Sequence, residues 1–131
     1  MVERGRIVEL IPGRSIGALQ LGGLPSALPR GSVQSDSYGG QMDGVQFVLG
    51  DDGRISDIWI DDIRSFPHRL MLGDREVPKK SPLAELQQFF GSCLEVDGVK
   101  GGRFYNCSVG VALGCGYDGS DANVQLRIKH R

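Results

Sequence analysis

Apolar residues alternate with polar or small ones in two stretches near the end of the chain. Tyr105, Cys107, Val109, Val111, Leu113 and Cys115 interleave with Asn106, Ser108, Gly110, Ala112 and Gly114. Ala122, Val124, Leu126 and Ile128 interleave with Asn123, Gln125, Arg127 and Lys129. A period of two belongs to a strand with one apolar face, because successive side chains point to opposite sides. Residues 116–121 between the stretches read as a turn. The pair predicts an antiparallel hairpin, dry on one face and wet on the other. A wet face on the last strand implies a sheet covered on one side only.

Glycine supplies the punctuation that such a sheet needs. The 20 Gly and 6 Pro of the 131 residues are well above the roughly 12 % that ordinary chains give this pair. Hydrophobic residues still make up 40 % of the chain, and no three-residue period is present, so collagen and low-complexity chains are excluded. Interior glycine costs a helix about 1 kcal/mol, which disfavours a helical bundle.

Residues 6–11 read as a first strand ended by Pro12-Gly13, and 15–21 as a second closed by Gly22-Gly23. Residues 24–29 have room for one helical turn, and 31–41, rich in Ser, Gly and Asp, read as an exposed loop. Val45, Phe47 and Leu49 lead through Gly50-Asp51-Asp52-Gly53 into a strand at 54–61. In that strand Ile58 and Ile60 share one face, and Ile55, Asp57, Trp59 and Asp61 the other. A further strand spans 66–72. Ser81-Pro82 opens the one clear helix, with Ser81 capping free amides, Pro82 in the first helical position and Gly91 as the stop. Leu83, Leu86 and Phe90 fall on one side of it.

The predicted fold class is α+β: a mainly antiparallel sheet of about six to seven strands, packed on one face by a main helix near 82–90. Residues 1–131 form a single domain. Leu19-Gln20-Leu21-Gly22 and Leu70-Met71-Leu72-Gly73 share L-x-L-G, a faint echo of a duplicated unit.

Fifteen basic and 16 acidic residues leave a net charge of −1. That balance lacks the basic footprint of a nucleic-acid binder. No apolar run approaches the roughly 18 residues needed to span a membrane. No apolar segment follows Met1-Val2-Glu3-Arg4-Gly5-Arg6, as it would in a signal peptide. Cys93, Cys107 and Cys115 are an odd count. With an adequate core and no signal, they predict reduced thiols in the cytoplasm, the alternative being one disulfide and one spare cysteine.

Ile11-Pro12-Gly13-Arg14-Ser15-Ile16-Gly17-Ala18-Leu19-Gln20-Leu21-Gly22 resembles a motif of small bacterial α+β domains, I-P-G-[KR]-S-I-G-x-[LIV]-x-L-G, usually followed by a helix. Asp52-Gly53-Arg54-Ile55-Ser56-Asp57-Ile58 is similar to their D-G-R-I-x-x-I step. Phe90-Gly91-Ser92-Cys93 is similar to their helix end, F-G-x-C, which precedes strands carrying G-V-A-L. Many such domains are uncharacterised. Some resemble cytosolic immunity proteins paired with polymorphic toxins, and others resemble secreted inhibitor modules. The resemblance implies a binding role and carries over no catalytic residue. Pro25 and Pro29 depart from the pattern by shortening the expected helix.

No constellation of residues names a reaction. His68 and His130 have no cysteine or second histidine at ligand spacing, so no metal site is expected. Cys107 and Cys115, on one straight strand, would stand about 26 Å apart and read as core. Cys93 follows a helix C-terminus, where the dipole disfavours a thiolate. The Gly-rich stretches 13–17 and 98–103 lack the spacings of a phosphate loop. Asp51-Asp52 and Asp61-Asp62 sit at turns, where Asp serves local hydrogen bonding. No enzyme and no cofactor are therefore expected.

The candidate partner-binding residues are Asp57, Trp59, Asp61 and Asp62. Acidic side chains around the only tryptophan suit a protein interface and would steer a basic partner. The plain alternative is a core Trp59 with aspartates at strand ends. The expected function is that of a cytoplasmic, non-enzymatic immunity protein that binds and neutralises a cognate bacterial toxin. The alternative is a small-ligand-binding or structural accessory domain, with a pocket at Leu86, Phe90, Val109 and Val111. Neither nucleic acid nor membrane is expected as a partner, and the oligomeric state is left open.

Overall fold

Alternating sequence becomes strand, but in shorter pieces than the alternation suggests. The computed structural model describes residues 6–24, 26, 34–35, 38–42, 44–96, 103–115 and 123–128. Among them lie thirteen strands and one helix. Five strands form one sheet: β1 (Ile7–Ile11), β2 (Ser15–Ile16), β3 (Leu19–Gln20), β8 (Arg69–Leu72) and β9 (Arg75–Glu76). Their order is β3-β2-β1-β8-β9. The other eight are β4 (Gln34–Ser35), β5 (Gly39–Met42), β6 (Val45–Leu49), β7 (Ile55–Ile60), β10 (Cys93–Val96), β11 (Arg103–Cys107), β12 (Val111–Cys115) and β13 (Gln125–Ile128). Their order is β10-β11-β12-β13-β7-β6-β5-β4. Neighbours are antiparallel except β1 and β8, which are parallel.

The chain is thus mostly β, with two antiparallel-rich sheets and one short helix. Buried side chains of both sheets join in one cluster that includes Leu10, Ile16 and Leu70 from the smaller sheet and Phe47, Ile58, Leu113 and Leu126 from the larger. The helix α1 (Leu83–Phe89) adds Leu86, and Phe90 follows it into the same cluster. Gly91 stops the helix as expected, at φ +86°.

Both strand orders are palindromic. A hairpin (β2-β3) and a meander (β4 to β7) in the first half match a hairpin (β8-β9) and a meander (β10 to β13) in the second. The hairpins flank β1, and the meanders meet where β7 pairs with β13. The duplicated unit is therefore one of topology. The two L-x-L-G stretches start on β3 and in β8, which are not equivalent places, so that string is not its trace.

Several expectations are corrected, each for a local physical reason. One sheet of six to seven strands becomes two sheets with thirteen strands among the described residues, and glycines at positive φ add to the number by folding longer strands back. Gly17 (φ +60°) divides 15–21, and Gly110 (φ +105°) divides 105–115. Tyr105 to Cys115 is thus a hairpin, with Cys107 opposite Val111. The backbone of Pro12 and Gly13 passes so close to Gly110 that a Cβ there would stand 3.3 Å from Gly13 N. The outer side of β12 is not wet, since Ala112 and Gly114 are buried along with the rest of the strand. Part of the expected loop at 31–41 pairs as β4 and β5. Ile55 is 2 % exposed rather than facing out. Val48 lies opposite Asp57 and Leu49 opposite Ile55, so Ser56 is an extra residue that reverses the alternation. Pro82, not Ser81, is the helix N-cap, with no side-chain cap bond. Residues 25 and 27–33, which carry most of the expected first helical turn, and the 116–121 turn lie outside the described residues.

The cysteine expectation also changes. Cys93 and Cys107 lie directly opposite each other on β10 and β11 and form a disulfide. Cys115 remains a buried thiol. The fold-back at 108–110 creates the β11 that faces Cys93, so sequence spacing alone did not show the pair.

Two stability outcomes follow. Gly110→Ala is expected to cost about 1–2 kcal/mol, because a Cβ is disfavoured at positive φ, read as a lower urea midpoint. Reducing the disulfide, whose cysteines are 14 residues apart, is expected to cost about 3 kcal/mol by loop entropy, read by urea unfolding with and without dithiothreitol.

Candidate functional site

Ile58 and Ile60 of β7 point into the core, at 0 % and 2 % exposure. Asp57, Trp59 and Asp61 must therefore face the other way. Trp59 is half-buried rather than core. Cross-strand register places it in a row that crosses the sheet through Asn106, Ala112, Arg127, Trp59, Gln46 and Gln41.

The indole is held from two directions. Its Nε1–H donates to Asp61 Oδ1 at 2.8 Å, and Gln46 Nε2 donates to the other oxygen of the same carboxylate. The Arg127 guanidinium lies 4.9 Å from the ring centroid and reaches Asp57 Oδ1 at 3.4 Å. An exposed cation–π contact contributes about 0.5–1 kcal/mol, and an exposed ion pair about 0–1 kcal/mol. Individually small, these contacts together fix one orientation of the ring. Trp59 also borders an open groove of about 440 Å³ with Tyr38, Gly39, Gln41, Gln46 and Val48.

Three of the four expected residues come together here, and one does not. Asp62 Oδ1 accepts from the backbone N–H of Arg64 and of Val124, each at 3.1 Å. It ties the end of β7 to the start of β13 and stands apart from the Trp59 face. The electrostatics also differ from expectation. Arg127 offsets Asp57, so the face carries mixed charge rather than an acidic patch. Arg127, Gln46 and Tyr38 were missed as site residues. Arg127 was legible as an outward position of the last strand, but nothing local says that this strand lies beside β7.

Other sequence candidates resolve into structural roles. Asp52 Oδ1 accepts from Arg54 N–H at 3.0 Å in its turn. Cys93 is committed to the disulfide. The His68 ring packs edge-on against Phe66 at 5.4 Å, its buried Nδ1 has no hydrogen-bond partner, and His130 lies outside the described residues. Among the described residues no three His, Cys, Asp or Glu gather as metal ligands. The stretch at 13–17 holds β2 between two turns, and 98–102 lies outside the described residues. Leu86, Phe90 and Val111 are interior core, at 0–2 % exposure, with Val109 packed against it.

Lys79 Nζ donates to the carbonyls of Phe66 and His68 at 2.7 and 2.6 Å. Burial holds its pKa below the ordinary 10.5, with Glu76 opposing and Lys80 adding to the effect. The unfolded state binds this proton more tightly, so this group's contribution to stability rises as pH climbs toward 10.5.

Among the described residues no helix is long and apolar enough to cross a membrane. Fold and site together define a β-rich, two-sheet protein with an aromatic-centred sheet face. Comparisons with protein-family models, with curated proteins and with solved structures find no match.

Arg127→Ala is expected to change Trp59 emission while lowering stability by about 0.5–2 kcal/mol, the sum of the two contacts it removes. Fluorescence spectra and urea unfolding of the same variant check both.

Proposed function

We propose that this chain is a non-enzymatic binding protein that engages a protein partner through the Trp59 face. In its most specific form it is an immunity or inhibitor protein that neutralises a cognate toxin. The observation that carries the binding role is the pre-set indole: a half-buried tryptophan fixed by Asp61 and Arg127 at the edge of a groove. Tryptophan is enriched at interface hot spots, and a side chain ordered in advance loses little entropy on binding. Tyr38, 80 % exposed at the same groove, extends the aromatic surface. The toxin-neutralising part rests on the resemblance carried by residues 11–22, 52–58 and 90–93.

The cytoplasmic expectation, drawn from the odd cysteine count, an adequate core and no visible signal, came with reduced thiols, whereas Cys93 and Cys107 are joined in a disulfide. Disulfides persist in oxidising compartments. The secreted-inhibitor branch of the resemblance therefore fits this chain as well as the immunity branch does.

The test is co-purification and calorimetry with the product of the neighbouring gene. The wild-type chain is expected to bind and to relieve toxicity. Trp59→Ala is expected to weaken binding by about 30-fold or more, as loss of a hot-spot residue worth about 2 kcal/mol does. A wild-type chain that neither binds nor protects would end this proposal.

A further inference from the structure

An edge strand turns a row of N–H and C=O groups outward and so invites another strand, and chains blunt such edges by keeping them short or charged. Among the described residues the two sheets end in four edge strands. Three are two residues long: β3 (Leu19–Gln20), β4 (Gln34–Ser35) and β9 (Arg75–Glu76), the last with both residues charged. The fourth, β10, runs over Cys93–Val96 and carries no lysine, arginine or proline. Leu94, inside it, is 75 % exposed, the most exposed large aliphatic side chain of the described residues. Val96 and its half-buried cross-strand neighbour Phe104 lie on the same side of the sheet as Leu94. The Phe104 ring in turn covers Gly114, where a Cβ would stand 2.7 Å from a ring carbon. The disulfide to Cys107 holds this edge in place on β11.

The hydrogen-bond pattern shows which groups β10 offers. Ser108 N–H donates to the Ser92 carbonyl at 2.8 Å, one step before the facing pair Cys93 and Cys107. Facing pairs of an antiparallel ladder alternate between bonded and not bonded. Leu94 and Val96 therefore direct their main-chain groups to β11, and Cys93 and Glu95 direct theirs outward. An antiparallel second copy of β10 can meet these outward groups in registers centred on Cys93, Leu94 or Glu95. Centring on Glu95 sets two like charges face to face, which is destabilising. Centring on Cys93 sets Glu95 against Gly91 of the second copy, which at φ +86° is not extended and cannot continue a ladder. Centring on Leu94 pairs Cys93 with Glu95 of the second copy, and the reverse, so that every outward group is bonded. It also sets Leu94 against Leu94 of the second copy as a non-bonded pair, in which side chains come closest.

We infer that two copies of this chain join edge to edge along β10, with Leu94 on the two-fold axis. The contact is self-complementary, as a two-fold interface requires. The axis stands normal to the sheet, so the two Trp59 faces look the same way. They are nine strand spacings apart, about 43 Å along the sheet. A contact of this size belongs to the small, transient class of interface. It does not depend on the proposed role of the Trp59 face.

The test follows the mass of the full chain by sedimentation equilibrium from about 10 μM to 1 mM, the range in which weak contacts are populated. The wild-type mass is expected to rise from one chain toward two and to stop there. Leu94→Asp is expected to raise the dissociation constant about tenfold or more, since it sets two charges against each other on the axis. Glu95→Pro is held to the same expectation, because it removes an outward N–H that the single chain does not use. Circular dichroism checks the fold of each, and one folded variant suffices. Leu94→Cys, oxidised with diamide, is expected to link two chains through the introduced thiols. A non-bonded pair brings its Cα atoms to about 4.5 Å, within disulfide reach. Gln20→Cys, exposed on the β3 edge, is expected to link far less. A single chain mass up to 1 mM, a mass climbing past two chains, a folded variant that associates as the wild type does, or equal linking of the two cysteine variants overturns the inference.

Discussion

Three residue pairs across the junction of β7 and β13 govern much of this molecule. Ile60 faces Leu126, Trp59 faces Arg127, and Ile58 faces Ile128. The outer pairs put four aliphatic side chains into the core, each at 2 % exposure or less. The middle pair is thereby forced outward, where the guanidinium meets the indole. A slip of one residue in β13 would bury Arg127 and expose Leu126 and Ile128, which is why such a register is strongly specified. Core and candidate site thus depend on one constraint. The same junction joins the two halves of the large sheet.

Those halves share a strand plan and carry different side chains at matching places. The second is reinforced: the disulfide pins edge strand β10 to β11, and Phe104 closes over Gly114. The first keeps Gly39 and an open groove at the matching place.

How far the sequence could be read depended on the range of the interaction. The hairpin from Val45 to Ile60 was legible because its turn, Gly50 to Gly53, and its alternation are local. So was the helix near 82–90, whose apolar side and Gly91 stop lie within ten residues. The shared face of Asp57, Trp59 and Asp61 followed from strand period alone. Ile55 was misplaced because a bulge at Ser56 changes the period without any mark in composition. Asp62 was misassigned because its partner amides are on Arg64 and Val124, the latter 62 residues away. The strand break at Ser108 to Gly110 was hidden because Val109 continues an alternation that the backbone does not follow.

The sequence by itself determined a β-rich chain punctuated by glycine, one short helix, and a tryptophan that shares a strand face with two carboxylates. These are consequences of side-chain period and backbone freedom, which act over a few residues. Only the tertiary structure decided that Arg127 caps Trp59, that Cys93 meets Cys107, and that the two halves mirror each other around β1 and the β7–β13 junction. Each of these is a meeting of segments far apart in the chain. Such meetings are chosen by the burial of one shared core, to which every strand contributes and which no single stretch of sequence displays.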